Sequence, residues 1–405
     1  MVNLLKAAAV AGGSGTFSPL DMSGLKYYVD IGDSNSYPGS GTKVYNIAPE
    51  GAEPDMDING TFSVDGSGTN SGILGVTSCY LDTDAALDTF MRDLHNNNSI
   101  FTAICVYLPG ATSGTEIDLA NNDRLWATGS PSDHGAGLSF PSGDYYRFDV
   151  NGNAVVALTE HTNNNASDDT DWKTDLKAEN MPMMVGVRFD EAAGAGGSDY
   201  WQNHTSYGAF DGTLTSPSTN NSAGLGILAR RDGSNGVNDG VKFHAFLCFD
   251  RILTDVEMTQ LWDFYRPRIS TPGAKELWRC RMNSVTDDGN DWTVNQLEWR
   301  ISTVAQTITR GLYSESGGSR SRTTNIYDGS TATSEQGNNA NAVSDHAWFG
   351  CYVEGGAEFD SVRLHQDTLA FVTDVIIESS TDLGDTWATE MTGTGLTGNT
   401  WDTIS

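Results

Sequence analysis

Asp239 to Tyr265 reads DGVKFHAFLCFDRILTDVEMTQLWDFY, and the change of pattern inside it decides the fold. Small and apolar residues run as in a strand up to Phe249. Thr254-Asp255-Val256-Glu257 then supplies the S/T-x-x-E capping box that opens a helix. In that box the Thr254 side chain accepts from the amide of Glu257 while the Glu257 carboxylate accepts from the amide of Thr254. An isolated helix therefore begins where the β pattern stops.

Upstream, strand signals recur from Leu20 onward. Leu25–Asp30 opens the pattern, Phe101–Tyr107 is a buried strand, and Met183–Asp190 is a further hydrophobic strand ending in an acid. Tyr145–Val150 is expected to pair, through Asn151-Gly152-Asn153, with Ala154–Leu158. The chain has 405 residues, 45 of them glycine, and 10% aromatic content, which favours short strands joined by tight turns and allows two domains. The expected class is all-β. Pro267, Pro272 and Gly273 interrupt the chain, so a linker is placed at 269–276 between units at 20–268 and 277–405, after an Ala/Gly-rich N-terminal tail at 1–19.

The closing segment of the first unit, Asp250-Arg251-Ile252-Leu253-Thr254-Asp255-Val256-Glu257, resembles the turn and short helix that end a LamG, or concanavalin A-like, jelly roll. Leu25–Asp30 resembles that family's opening strand, and Met183–Asp190 the strand before its ligand-face hairpin. In the second unit, Asn325–Thr333 resembles the A-x-D-G-x-x-x-T loop of discoidin-like (F5/8 type C, galactose-binding-like) sandwiches. Phe359–Gln366 and Val375–Trp387 are similar to that family's later strands, with Leu383 interrupting the expected Asp-Gly turn. The resemblance implies a concanavalin A-like jelly-roll sandwich followed by a galactose-binding-like β-sandwich.

Lys and Arg number 23 against 53 Asp and Glu, a formal charge of -30, so nucleic acid and anionic membranes are disfavoured as partners. Cys79, Cys105, Cys248, Cys280 and Cys351 lack CxxC spacing and fall mostly in apolar strand-like runs. They read as reduced core residues, which points to assembly in a cytoplasm. The N-terminal MVNLLKAAAVAGGSG is a poor secretory signal and too short to cross a membrane, and no membrane insertion is expected.

Sugar recognition needs flat aromatic faces beside planar polar groups. Tyr200, Trp201, His204 and Tyr207 form one such set, and His346, Trp348 and Arg363 a second. Asp328, Ser330, Thr331 and Thr333 make an oxygen-rich glycine turn suited to a structural calcium, and discoidin-like relatives often place calcium at the matching loop. The alternative there is an Asp-Gly turn whose carboxylate caps local amides. Glu116 and Asp118 echo the Glu-x-Asp-x-Glu strand of jelly-roll glycosidases, but Ala120 stands where the second Glu is needed. Asp149, Asn151, Asn153 and Glu160 superficially fit an EF-hand loop, yet Ala154 occupies the required glycine position and strands flank it.

Together these readings predict a chain without catalytic activity: a tailed-bacteriophage virion protein, as a capsid decoration or tail-fibre component. Its sandwiches present carbohydrate-binding surfaces to host or environmental glycans. It is expected to assemble in the host cytoplasm, reach the virion surface, join other virion proteins through the N-terminal tail and form homo-oligomers in the particle. The competing expectation is a secreted polysaccharide-active enzyme or its binding module.

Overall fold

The computed structural model describes residues 17–405 apart from 52–53, 85–88, 95–98, 111–122, 129–134, 141–146, 152–158, 163–180, 194–198, 210–223, 230–232, 234–235, 237–239, 285–291, 315–319, 324 and 337–346. The protein is all-β, with antiparallel pairing throughout its named strands. The one helix longer than four residues among the described residues is Asp255–Ile269.

A large first sheet uses strands between Leu25 and Phe249. Its central run places Met183–Asp190, Ile100–Leu108, Lys242–Phe249 and Gly72–Thr83 side by side, with Leu25–Asp30 added along Lys242–Phe249. From Gly72–Thr83 the sheet continues through Leu225–Ile227, Asp123–Thr128, Gly135–Phe140 and Arg147–Asn151. It curls back on itself, because rings from distant strands meet inside: Phe101 and Phe148 lie 6.1 Å apart, and Trp126 and Phe246 5.8 Å. The strand paired with Arg147–Asn151 is Thr159–Thr162, with Asp149 in register with Glu160, and the expected partner Ala154–Leu158 lies outside the described residues.

A second sandwich is built from a six-stranded and a five-stranded sheet between Leu277 and Ile404. Trp278, Cys280, Phe349 and Ile377 from the former meet Val294, Trp299, Val362 and Leu364 from the latter in its core. Trp278, Trp299 and Phe359 form an aromatic centre, with the first two rings each within 5.3 Å of Phe359.

The helix explains why the strand before it lacks alternation. Every residue of Lys242–Phe249 is buried, since one face of the strand lines the jelly-roll core while the other faces the helix. Met258, Leu261, Trp262, Tyr265 and Ile269 recur at helical spacing and fill a cluster with Val106, Leu247 and Phe249 on one side. Leu277, Leu312, Tyr352 and Leu383 of the second sandwich join the same cluster. Close approach is needed here: a Cβ on Gly186 would stand 2.7 Å from the Met258 methyl carbon.

The capping box forms as the sequence requires. Glu257 N–H donates to Thr254 Oγ1 at 3.3 Å, and Thr254 N–H donates to Glu257 Oε2 at 2.8 Å. Arg251 Nη2 donates to Glu257 Oε1 at 2.6 Å, and this bond holds the carboxyl at a pKa of about 2. Thr254→Ala is therefore expected to lower the unfolding free energy by about 1 kcal/mol, measured by urea denaturation. No change in midpoint would contradict that role.

Pro267, read as a break, lies inside the helix, thirteenth of its 15 residues. Proline lacks the amide that would reach the Asp263 carbonyl. The next turn is held by side chains instead: Arg268 pairs with Asp30 at 2.8 Å and Ile269 is buried. The expected linker is likewise tied down, since Glu276 Oε1 accepts from the amides of Thr271 and Gly355 at 3.0 and 3.1 Å. All five cysteines are buried, and none is in a disulfide.

Candidate functional site

The first expected sugar-binding set does not assemble. Tyr200 and Trp201 are successive residues of the strand Asp199–Gln202, so they face opposite sides. Tyr200 is fully buried in the jelly-roll core, where its hydroxyl accepts the Phe148 amide at 2.6 Å. Trp201 is buried beneath the helix, donates from Nε1 to Asp199 Oδ2 at 3.1 Å, and has the Arg188 guanidinium 5.2 Å from its ring centre. Neither ring is available for stacking. His204 is exposed, whereas the Tyr207 side chain is outside the described residues.

His204 instead belongs to a junction. Its Nδ1 stands 2.9 Å from Asp385 Oδ1, while Trp262 Nε1 donates to Asp385 Oδ2 at 3.3 Å and Arg266 pairs with the same oxygen. Asp385 and Leu383 sit in one turn of the second sandwich. Leu383 holds φ at 54°, a left-handed conformation unusual for leucine, with its side chain buried in the helix cluster. The interruption in the Asp-Gly turn is thus a packing residue that fastens the two sandwiches together.

The second expected set is also dispersed. Trp348 is buried in the junction cluster, and His346 lies outside the described residues. Arg363 is half-exposed on the outer face of the five-stranded sheet, in register with Glu298 on one side and Thr403 on the other. Its guanidinium covers the Trp401 ring at 4.3 Å, and the His365 ring meets the same tryptophan edge-on at 5.4 Å. Trp401 is thereby engaged by protein groups. In the adjacent row, Gln296 Oε1 and His365 Nδ1 are buried without a hydrogen-bond partner.

Asp328 closes its own turn. Oδ1 accepts the Ser330 amide at 2.7 Å and Oδ2 accepts the Thr333 hydroxyl at 2.8 Å, while Thr331 is exposed. Among the described residues, no group of three or more His, Cys, Asp or Glu side chains is placed to hold a metal ion. Glu116 and Asp118 lie outside the described residues.

Polar groups do converge in a cleft of about 210 Å³ between the first sheet, the helix end and the second sandwich. Its first wall carries Asp65, Asn70, Lys242 and His244, and its second Arg268, Thr271, Glu276, Tyr352 and Glu354. These side chains are already held. Lys242 Nζ lies 2.7 Å from Asp65 Oδ2 and 3.4 Å from Glu354 Oε1, so it bridges the two sandwiches and keeps the Asp65 carboxyl below its usual range. Arg268 is fixed by Asp30 and by the Phe264 ring, 4.6 Å from its guanidinium carbon.

His244 is the buried partner beneath them, with Nδ1 3.1 Å from the Ser71 carbonyl, which it faces as a donor. Burial first, then the nearby Lys242 charge, pulls its pKa down to about 3. Burial likewise raises the Glu276 carboxyl above its ordinary value. Lys242 and His244 carried a readable signal: two polar residues at alternate positions of an otherwise apolar strand share one face. Arg268 and Glu276 carried none, because Arg268 reaches the cleft by pairing with the distant Asp30 and Glu276 by the docking of the second sandwich.

No family model matches the chain, and no curated protein matches it. Among solved structures it is similar to a Trypanosoma rangeli sialidase in complex with 2,3-difluorosialic acid, at 11% identity and a TM-score of 0.41, over 65% of this chain and 36% of that one. The chain thus spans about a third of the sialidase chain's length. It is also similar to the binding domain of botulinum neurotoxin DC in complex with SialylT, at 8% identity and a TM-score of 0.40, covering 91% of this chain and 73% of that one. A botulinum neurotoxin type C structure, from work on cell entry through two ganglioside molecules, matches at 8% identity and a TM-score of 0.41 over the same shares. The sialidases correct the expectation of a chain without catalytic activity: enzymes stand among the folds it resembles, and that exclusion is withdrawn. Likeness this distant transfers no activity.

Proposed function

We propose that the chain is a carbohydrate-binding protein whose sugar site is the cleft between its two sandwiches, with residues 20–268 and 277–405 as its two folding units. The carrying observation is the set of pre-positioned planar and charged side chains around about 210 Å³, above all Glu276, whose Oε1 is already fixed by two backbone amides. Such groups bond to sugar hydroxyls without first being ordered, which lowers the entropic cost of binding. The volume falls below the roughly 300–1,000 Å³ of sites for drug-sized ligands, so a single terminal ring suits it better than an extended oligosaccharide.

Saturation-transfer NMR of the full chain against a panel of monosaccharides tests the reading. At least one sugar is expected to bind. Glu276→Gln, which keeps the shape but removes the charged acceptor, is expected to weaken that sugar about tenfold or more. Silence across the panel at millimolar concentration would overturn the assignment.

The same reading extends to the protein's setting: a component of a tailed-bacteriophage particle, as capsid decoration or tail fibre, made in the host cytoplasm and displayed on the virion surface. Five buried thiols outside any disulfide support folding without oxidation, as does the sequence resemblance to jelly-roll and discoidin-like modules. The N-terminal tail would contact other virion proteins, and many copies on one lattice would multiply weak sugar contacts by avidity. A deletion of residues 2–16 that left incorporation into particles unchanged would remove the tail from this scheme.

A further inference from the structure

We infer that the cleft selects an uncharged saccharide and rejects a carboxylate-bearing one, an inference that rests on the cleft being the sugar site. Three acidic side chains, Asp65, Glu276 and Glu354, line it against two cationic ones, Lys242 and Arg268. Lys242 is committed to two carboxylates, while Arg268 pairs through Nη1 and keeps its partnerless Nε buried out of reach of an incoming group. Lys242 Nζ is shared between Asp65 and Glu354, and Arg268 Nη1 is 2.8 Å from Asp30, a carboxylate just behind the wall. One face of the Arg268 guanidinium is further covered by Phe264.

Recognition of a sugar carboxylate ordinarily takes a free guanidinium fork or an unpaired ammonium. The cleft offers neither, because an incoming carboxylate would have to displace Asp65, Glu354 or Asp30 from its partner. It would also sit beside the remaining acids, where like charges disfavour each other strongly at short range. The formal charge of -30 adds repulsion on approach, although salt screens that part beyond about 10 Å. An uncharged hydroxyl-rich ring meets none of these penalties, and the carboxylate oxygens give its hydroxyls acceptors.

The decisive comparison is a titration of the full chain at physiological salt with two groups of probes. One group is galactose, glucose, mannose and N-acetylglucosamine, and the other is glucuronic acid and N-acetylneuraminic acid. A neutral sugar is expected to bind at least about tenfold more tightly than either acid, a gap of about 1.4 kcal/mol. The double variant Asp65→Asn with Glu354→Gln releases Lys242, and both positions are about half-exposed, at 46% and 52%, so folding is not at risk. In that variant the neutral-to-acidic affinity ratio is expected to fall about tenfold.

Equal binding of neutral and acidic sugars by the wild type would overturn the selectivity while leaving the cleft as a sugar site. An unchanged ratio in the double variant would do the same. If neither chain binds any probe, with melting curves showing both folded, the sugar site itself falls and the selectivity with it.

Discussion

Asp30→Ala is expected to remove about 3–5 kcal/mol of unfolding free energy, because it strands a buried guanidinium. The Asp30 side chain is 3% exposed and that of Arg268 12%. Asp30 also serves two further donors: Oδ2 accepts the Tyr28 hydroxyl at 2.9 Å, and Oδ1 accepts the Gly32 amide at 2.8 Å. Tyr265 of the helix reaches the same group through its hydroxyl, 3.1 Å from that of Tyr28. Alanine would leave the cation and both donors without this acceptor at a largely buried position. Asp30→Asn keeps an acceptor and is expected to cost less. Guanidinium denaturation of both variants decides, and a loss below about 1 kcal/mol for Asp30→Ala would show that water or another side chain substitutes. The same variant is expected to weaken sugar binding, since Arg268 loses the group that aims it.

The second large effect is acid sensitivity traced to His244. Its pKa is held at about 3 in the folded protein, against 6.5 for the free side chain, chiefly because burial penalises the charged ring. Below pH 6.5 the unfolded chain takes up a proton that the folded chain refuses. Stability from this group is therefore complete above pH 6.5 and declines as pH falls toward about 3, with a limiting slope of about 1.4 kcal/mol per pH unit. His244→Asn places an amide donor near Nδ1, so the bond to the Ser71 carbonyl survives without a titrating group. Carboxylates contribute their own acid loss in both proteins, and the difference between the two stability curves isolates the histidine. Parallel curves between pH 6.5 and 4 would refute the assignment.

How far the fold was legible depends on the distance over which each signal acts. Thr254 and Glu257 specify a cap through atoms three residues apart, and that cap formed as read. Leu25–Asp30 and Met183–Asp190 were legible as strands because β-rich apolar runs bounded by turns are local. Pro267 misled because a local rule about proline was outweighed by Arg268 and Ile269 docking on either side of the helix end. The aromatic cluster at Tyr200 and Trp201 misled for a related reason. The set was read from residue type, but two neighbouring strands place Tyr200 and Trp201 in the sheet and bury both rings from opposite sides. The cleft was half legible: Lys242 and His244 announce themselves within one strand, whereas Glu276 and Glu354 arrive from a separate sandwich.

The turn carrying Leu383 and Asp385 has a practical consequence. With Trp262, Leu261 and Tyr265 wedged between the sandwiches, severing the polypeptide near residue 270 would bare a greasy strip on both products. Separately expressed halves are then prone to clump, whichever half keeps the helix. Anyone grafting one half onto another display scaffold would have to repaint that strip with polar residues or bring the opposite half along.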